Sequence, residues 1–144
     1  MVAEGTILKD KGIIAPIIIE AKKLLDKGPA VWTEETINIK RYFLTDTLDD
    51  FIGCTNRAEE IFIANHLAEL ASEFFLRTNH QWIGSSKWII RALKQYDQIF
   101  ANRFVDAFDY FYQTGEKEKI IRIVEEILAP YGGTLFEGFS LGKD

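Results

Sequence analysis

The chain has 144 residues, a formal net charge of −5, 47% hydrophobic residues and 27% charged residues. This length and composition exclude wholesale disorder and fit one globular domain with a core of its own. The acidic balance disfavours nonspecific nucleic-acid binding, so a nucleic-acid partner is not expected. A membrane partner is not expected either, because no apolar run approaches a membrane span and Ile13–Ile19 contains Pro16. A single cysteine, Cys54, and the lack of a signal-peptide pattern favour a reducing cytoplasm.

The N-terminal part of the chain predicts one short strand and one helix. Thr6–Leu8 has strand character, but a lone strand has no pairing partner in an otherwise helical chain. This orphan strand indicates that a further part of the protein precedes residue 1 and that residues 1–10 belong to it. A helix is predicted over Lys11–Lys27, with Pro16 in its first turn and Gly28-Pro29 at its end.

Two longer helices are predicted next, joined by a short turn at Cys54-Thr55. Thr33 can cap the first helix, which ends at Gly53. The second helix, Asn56–Thr78, contains no Gly or Pro, and its apolar residues form two rows at helical spacing. The rows are Ile61, Ala64, Ala68, Ala71 and Phe75, and Phe62, Leu67, Leu70 and Phe74. So wide an apolar surface predicts a central helix that is covered by neighbours on several sides.

Three further helices complete the predicted fold, and polar residues at their starts can cap the first two. They are Lys87–Tyr96 after Ser85 or Ser86, Gln98–Gln113 after Asp97, and the amphipathic segment Glu116–Ala129. The Gly-rich tail, Thr134–Asp144, carries apolar residues and is expected to pack back on the helices. The prediction is an all-α fold, an antiparallel bundle of about five to six helices.

Metal binding and nucleophilic catalysis have little support in the sequence. His66 and His80 lie far apart and outside any HExxH or CxxC frame, so a structural role is favoured for His66 and an exposed loop position for His80. Cys54 follows a helix-ending glycine without a catalytic frame, which favours a small buried thiol. No metal ligand is therefore assigned.

Carboxylates cluster on both sides of the predicted turn at Cys54-Thr55. The cluster consists of Asp46, Asp49 and Asp50 before the turn and Glu59 and Glu60 after it. A short turn brings the two groups near each other, and crowded carboxylates can hold a cationic substrate or supply a general base. The alternatives are that Arg41 and Arg57 neutralise them, or that acids simply favour a helix start. These five residues are the candidates for substrate binding.

A second candidate group lies around the start of the predicted helix Lys87–Tyr96. Gly84-Ser85-Ser86-Lys87 resembles the end of a phosphate-binding loop but lacks its first glycine and its strand. Lys87, Arg91 and Lys94 share one helical face, and Trp82 and Trp88 flank them. Lys87, Arg91, Trp82 and Trp88 are therefore candidates for binding a nucleotide or phosphate. The alternative is a solvated basic face beside two core tryptophans.

Three segments together resemble a known family. They are RYFLTDTLDDFIGCTNRAE (Arg41–Glu59), LRTNHQWIGSSKWIIRAL (Leu76–Leu93) and VEEILAPYGGTLFEGF (Val124–Phe139). They look like the helical C-terminal region of bacterial nucleotidyltransferase-domain proteins, in the polymerase-beta-like superfamily that includes kanamycin nucleotidyltransferase. The opening EGTILKD (Glu4–Asp10) is similar to the end of the catalytic domain. The resemblance implies that residues 1–10 are a remnant of that domain or a linker, and that residues 11–144 form the substrate-recognition domain.

The family's catalytic signature is a Gly-Ser motif followed by an Asp-x-Asp pair that holds magnesium and the nucleotide. Gly84-Ser85 is followed by no such pair, so we expect no cofactor on this chain alone. Magnesium and nucleoside triphosphate are expected only with a catalytic domain, either fused or a separate chain. A small-molecule acceptor is the other expected partner.

Two alternatives remain from the sequence. The helical region is also similar to HEPN domains, some of which are ribonucleases with an Arg-x(4–6)-His pair. Arg77 and His80 are closer than that spacing, and Arg57 and His66 are farther apart. A plain interaction module is the other alternative, in which exposed aromatic residues of Gln98–Gln113 form a homodimer.

Overall fold

A computed structural model describes residues 28–135 of the chain. Five α-helices and one short 3₁₀ helix account for most of these residues, and the described part contains no strand. The helices are α1 (Glu34–Gly53), α2 (Arg57–Thr78), α3 (Lys87–Tyr96), α4 (Gln98–Thr114) and α5 (Glu118–Leu128), followed by the 3₁₀ turn Ala129–Tyr131. The all-α prediction is confirmed. The predicted strand, the predicted helix Lys11–Lys27 and most of the tail lie outside the described residues.

Side-chain caps fix the starts of α1 and α4. The Thr33 hydroxyl accepts a hydrogen bond from the Thr36 N–H at 3.1 Å, and the Asp97 carboxylate accepts one from the Phe100 N–H at 3.0 Å. Both predicted caps are confirmed. Ser86 stands at the cap position of α3 but makes no capping hydrogen bond. Its φ of 55° departs from the extended backbone of a working N-cap, so this predicted cap is wrong.

Helix α2 is central, as predicted, because it packs against each of the other four helices. Its fully buried residues begin at Ala64 and include Leu67 and Phe74. The apolar rows are not covered over their whole length, since 76% of the Phe62 surface and 37% of the Ile61 surface remain exposed. The first turns of α2 therefore carry apolar side chains outside the core.

Helix α4 supplies the aromatic half of the core. Phe100, Phe104, Phe108 and Phe111 are all buried, and the Phe100 ring stacks on Phe75 with centroids 3.9 Å apart. Spacings of three and four residues place these four rings on one face of the helix. The exposed aromatic residues of this helix are Tyr110 and Tyr112, so the homodimer alternative depends on these two side chains.

The segment after α5 is tied to α1. The 3₁₀ turn ends at Gly132, whose φ is 105°, a value that glycine adopts without strain. The Arg41 side chain then donates a hydrogen bond to the Gly133 carbonyl at 3.1 Å, and the buried Thr45 hydroxyl accepts one from the Leu135 N–H at 2.9 Å. The predicted packing of the tail is thus seen for its first residues.

Between residues 28 and 135, no helix combines the length and the apolar character that crossing a membrane requires.

Candidate functional site

The turn between α1 and α2 forms an open depression of about 620 Å³. Asp49 and Asp50 line it from the end of α1, and Glu59 lines it from the start of α2. Gly53–Asn56, which form the turn, complete most of the remaining lining. We call this feature the acidic depression. It brings together three of the five predicted substrate-binding carboxylates.

The turn is held in shape by contacts on both of its sides. The Asn56 side chain caps α2 by accepting a hydrogen bond from the Glu59 N–H at 3.0 Å. The half-buried Cys54 thiol lies 3.5 Å from the Asn56 carbonyl and 3.9 Å from a Glu59 carboxylate oxygen. The backbone and one carboxylate of the depression are therefore positioned by the turn's own residues.

Lys117, which lies far from the turn in the sequence, also holds the turn in place. Its Nζ donates hydrogen bonds to the carbonyls of Phe51 at 2.6 Å and Cys54 at 2.7 Å. The last carbonyls of a helix have no partner within the helix, so this side chain satisfies the end of α1. We call this arrangement the Lys117 cap. The sequence shows no local signal for it, because the two partners come together only in the folded chain.

Two of the predicted carboxylates do not line the acidic depression. A Glu60 oxygen lies 3.1 Å from the Lys117 Nζ and another lies 3.9 Å from Arg57, so its charge is neutralised inside the fold. The predicted neutralisation by Arg57 is thus seen for Glu60. Asp46 is exposed and is not among the residues that line the depression.

The carboxylates that line the open side of the acidic depression have few charged partners among residues 28–135. Its lining contains no lysine or arginine, and Asp49 and Asp50 have no hydrogen-bond or ion-pair partner among residues 28–135. No group of three metal-ligating side chains in that range is arranged to hold a metal ion.

The second predicted group lies on the outer face of α3. Lys87, Arg91 and Lys94 are exposed, and the Arg91 guanidinium carbon lies 4.5 Å from the centroid of the Trp88 ring. Trp88 is 54% exposed and Trp82 is 45% exposed. The alternative of two core tryptophans is therefore wrong, and the tryptophans belong to the surface. We call Lys87, Trp88, Arg91 and Lys94 the cationic face of α3.

Gly84 sets how the preceding loop meets α3. A Cβ atom at this position would lie 2.6 Å from both the Cβ and the carbonyl oxygen of Trp88, closer than any real contact. The loop is also tied to the helix start by a hydrogen bond from the Trp88 N–H to the Ser85 carbonyl at 3.0 Å. The absence of a side chain at Gly84 is what lets the loop lie against the first turn.

Replacing Gly84 by alanine is expected to lower the free energy of unfolding by about 1–3 kcal/mol, because the added methyl group forces loop and helix apart. Urea denaturation followed by tryptophan fluorescence measures this loss. Gly53→Ala is the matched control, since nothing lies within 4 Å of its added Cβ. Its expected change is within about 0.5 kcal/mol. Equal losses for both variants would contradict the close approach at Gly84.

A groove of about 360 Å³ between α4 and α5 is rich in charge but internally neutralised. Arg103 forms a bidentate salt bridge with Glu126. Its hydrogen bonding lowers the pKa of the Glu126 carboxyl. Lys119 lies 3.0 Å from Asp106, and Arg122 lies 3.3 Å from Glu118. Because each cation of the groove already has a carboxylate, the groove does not offer a charged binding site.

One further groove was not foreseen from the sequence. It has a volume of about 340 Å³, lies between α2, α3 and α4, and is mostly apolar. Ile89, Ile90 and Phe108 are among its lining residues, and Tyr112 stands at its edge, where burial raises the pKa of the phenol. Helical periodicity predicts these side chains as core, so the sequence carries no signal that they border an open groove.

Two residues of the ribonuclease alternative, Arg77 and His80, lie together at the end of α2, where the His80 N–H donates a hydrogen bond to the Arg77 carbonyl at 3.1 Å. The Arg77 guanidinium carbon lies 5.1 Å from the centroid of the Trp32 ring, while His80 is exposed at the loop with a φ of 61°. His66 is also exposed, with its Nδ1 3.7 Å from Glu69. His66 therefore lies on the surface of α2, where its neighbour is a carboxylate of the same helix.

The chain was compared with protein-family models, with curated proteins and with solved structures, and none of the three comparisons gave a significant match.

Proposed function

We propose that this chain is a helical substrate-recognition module of a nucleotidyltransferase and acts together with a catalytic domain, fused or separate. The observation that carries the proposal is the acidic depression, where Asp49, Asp50 and Glu59 line one open surface without a lysine or arginine. The likeness of three segments to the helical part of such enzymes supports it. No Gly-Ser followed by Asp-x-Asp occurs in the 144 residues, so the chemistry belongs to the catalytic domain.

The magnitudes indicate what kind of acceptor the acidic depression suits. An exposed charge pair contributes about 0.2–1 kcal/mol. One amine on one carboxylate is therefore too weak to be selective. Three pairs together give roughly 1–3 kcal/mol, which is below the approximately 4 kcal/mol of a millimolar complex. The proposed acceptor is thus a small molecule with several protonated amines, and tight binding requires further contacts from the catalytic domain.

The test is a titration of the chain with kanamycin, which carries several amines, followed by NMR chemical shifts of the backbone. We expect binding weaker than millimolar, with a Kd of roughly 10–200 mM, and the largest shifts at Asp49, Asp50 and the turn of residues 54–56. The double variant Asp49→Asn with Asp50→Asn should lose these shifts. The matched control is Glu34→Gln with Glu35→Gln, which removes the same charge from the other end of α1.

Two results would count against the proposal. One is a set of shifts spread evenly over all acidic surfaces, which would mean that kanamycin follows net charge alone. The other is unchanged binding by the variant of Asp49 and Asp50. A neutral oligosaccharide serves as the ligand control, because the proposed recognition depends on amines.

A further inference from the structure

The cationic face of α3 differs from every other basic surface that the structure describes. Arg77 lies over Trp32, and the other lysines and arginines outside α3 in residues 28–135 each contact a carboxylate or carbonyl oxygen. Lys87, Arg91 and Lys94 have no such partner among residues 28–135. Three uncompensated positive charges thus collect on one helix of a chain whose net charge is −5.

These charges are interleaved with exposed aromatic surface. Lys87 and Arg91 both lie near the Trp88 ring, 6.0 Å and 4.5 Å from its centroid. More than half of the Trp88 surface is nevertheless exposed, and Trp82 is exposed on the loop that precedes α3. From Lys87 to Lys94 the helix rises by about 10 Å, so the cations form a short row and not a point.

The loop at this face also holds its backbone in an unusual conformation. His80 and Ser86 are the only non-glycine residues with positive φ among residues 28–135, at 61° and 55°. Both lie in the segment that connects α2 to the cationic face. Strained backbone of this kind is concentrated at ligand-binding segments, where the surrounding structure maintains it.

We propose that the cationic face of α3 binds single-stranded nucleic acid. Unpaired bases stack on Trp88 and Trp82, and the phosphates pair with Lys87, Arg91 and Lys94. A duplex does not fit, because its bases are already stacked on each other and do not reach a tryptophan ring. A membrane surface fits less well, because the aliphatic residues of α3 point towards the core, as Leu93 does with no exposed surface.

The inference is local and does not rest on the proposed function. The net charge argues against nonspecific binding over the whole surface, and the proposal concerns α3 alone. On α3, however, Lys87, Arg91 and Lys94 have no carboxylate partner among residues 28–135. A nucleic-acid strand that lies along these three residues therefore meets only positive charge. The site is separate from the acidic depression, which selects ligands of the opposite sign.

The experiment measures the fluorescence anisotropy of a short labelled oligouridine as the full chain is added, at several salt concentrations. Three phosphate contacts to a single strand predict a slope of log K against log salt of about −2. The triple variant Lys87→Gln, Arg91→Gln and Lys94→Gln should abolish binding. Trp88→Ala should weaken it by about 5- to 150-fold at constant salt, because the stacked base loses its partner.

The matched control removes the same charge from paired cations, by Arg103→Gln, Lys119→Gln and Arg122→Gln. It should bind the oligouridine within about two-fold of the natural chain, since only the long-range field changes. Circular dichroism shows whether each variant keeps its helices, and the exposure of Trp88 makes its replacement compatible with folding.

Several outcomes would overturn the proposal. They are no binding at low salt, equal affinity for polyphosphate or for duplex RNA, equal affinity for free uridine monophosphate, and an equal loss in the control variant. Polyphosphate separates the contribution of the bases from that of charge, and the monophosphate separates a strand site from a mononucleotide site. The kanamycin titration is unaffected by any of these results.

Discussion

Replacing Lys117 by methionine is expected to lower the free energy of unfolding by roughly 2–4 kcal/mol. The variant removes two short hydrogen bonds to the end of α1 and the ion pair to Glu60. Only 18% of the Lys117 side chain and 13% of the Glu60 side chain are exposed. The loss is therefore larger than that of a surface pair, because a nearly buried carboxylate loses its closest cation. Urea denaturation with linear extrapolation measures it.

Lys119→Met is the control for the Lys117 cap. Lys119 lies two residues further along the chain and pairs with Asp106 at 3.0 Å, but both side chains are about half exposed. The expected loss is at most about 1 kcal/mol. If the two variants lost the same stability, the contacts of Lys117 with Phe51 and Cys54 would have no special weight.

Replacing Phe74 by alanine is expected to cost about 3–5 kcal/mol of unfolding free energy. Phe74 is 1% exposed and packs edge-on against Trp32 and Tyr131, with ring centroids 6.0 Å and 5.5 Å away. Truncation opens a cavity between three aromatic rings, and these large groups are unable to close it completely. Urea denaturation at constant temperature gives the value.

Phe62→Ala on the same helix is the matched control. Phe62 is 76% exposed, so the same truncation should change the stability by no more than about 0.5 kcal/mol. The two phenylalanines stood in the same predicted apolar row, and this comparison separates them by burial alone. A large loss at Phe62 would show that another part of the molecule covers it.

Local features of the fold could be predicted from the sequence because their causes are local. Thr33 and Asp97 bond to backbone groups three residues away, so the cap and the helix start are encoded together. Gly115 ends α4 at a φ of 82°, in the left-handed conformation that glycine adopts without strain, which is again a local cause. The closeness of Asp49 and Glu59 also followed from the sequence, since only a short turn separates their helices.

Features that depend on how helices dock could not be predicted in the same way. The rows on α2 showed that it is broadly apolar, but periodicity does not tell which part of a wide apolar surface the neighbours cover. Phe62 and Phe74 were therefore indistinguishable until the helices were placed. The ion pair between Glu60 and Lys117 could not be predicted either, because α3 and α4 lie between these two residues in the sequence.

The Lys117 cap has a consequence for the order in which parts of the chain fold. Its contacts with Phe51, Cys54 and Glu60 join segments far apart in the chain, and such contacts form only after the intervening chain has closed into a loop. During synthesis, the turn that carries the carboxylates leaves the ribosome well before the lysine that fixes it. The acidic depression therefore reaches its final geometry only after Lys117, at the start of α5, has docked.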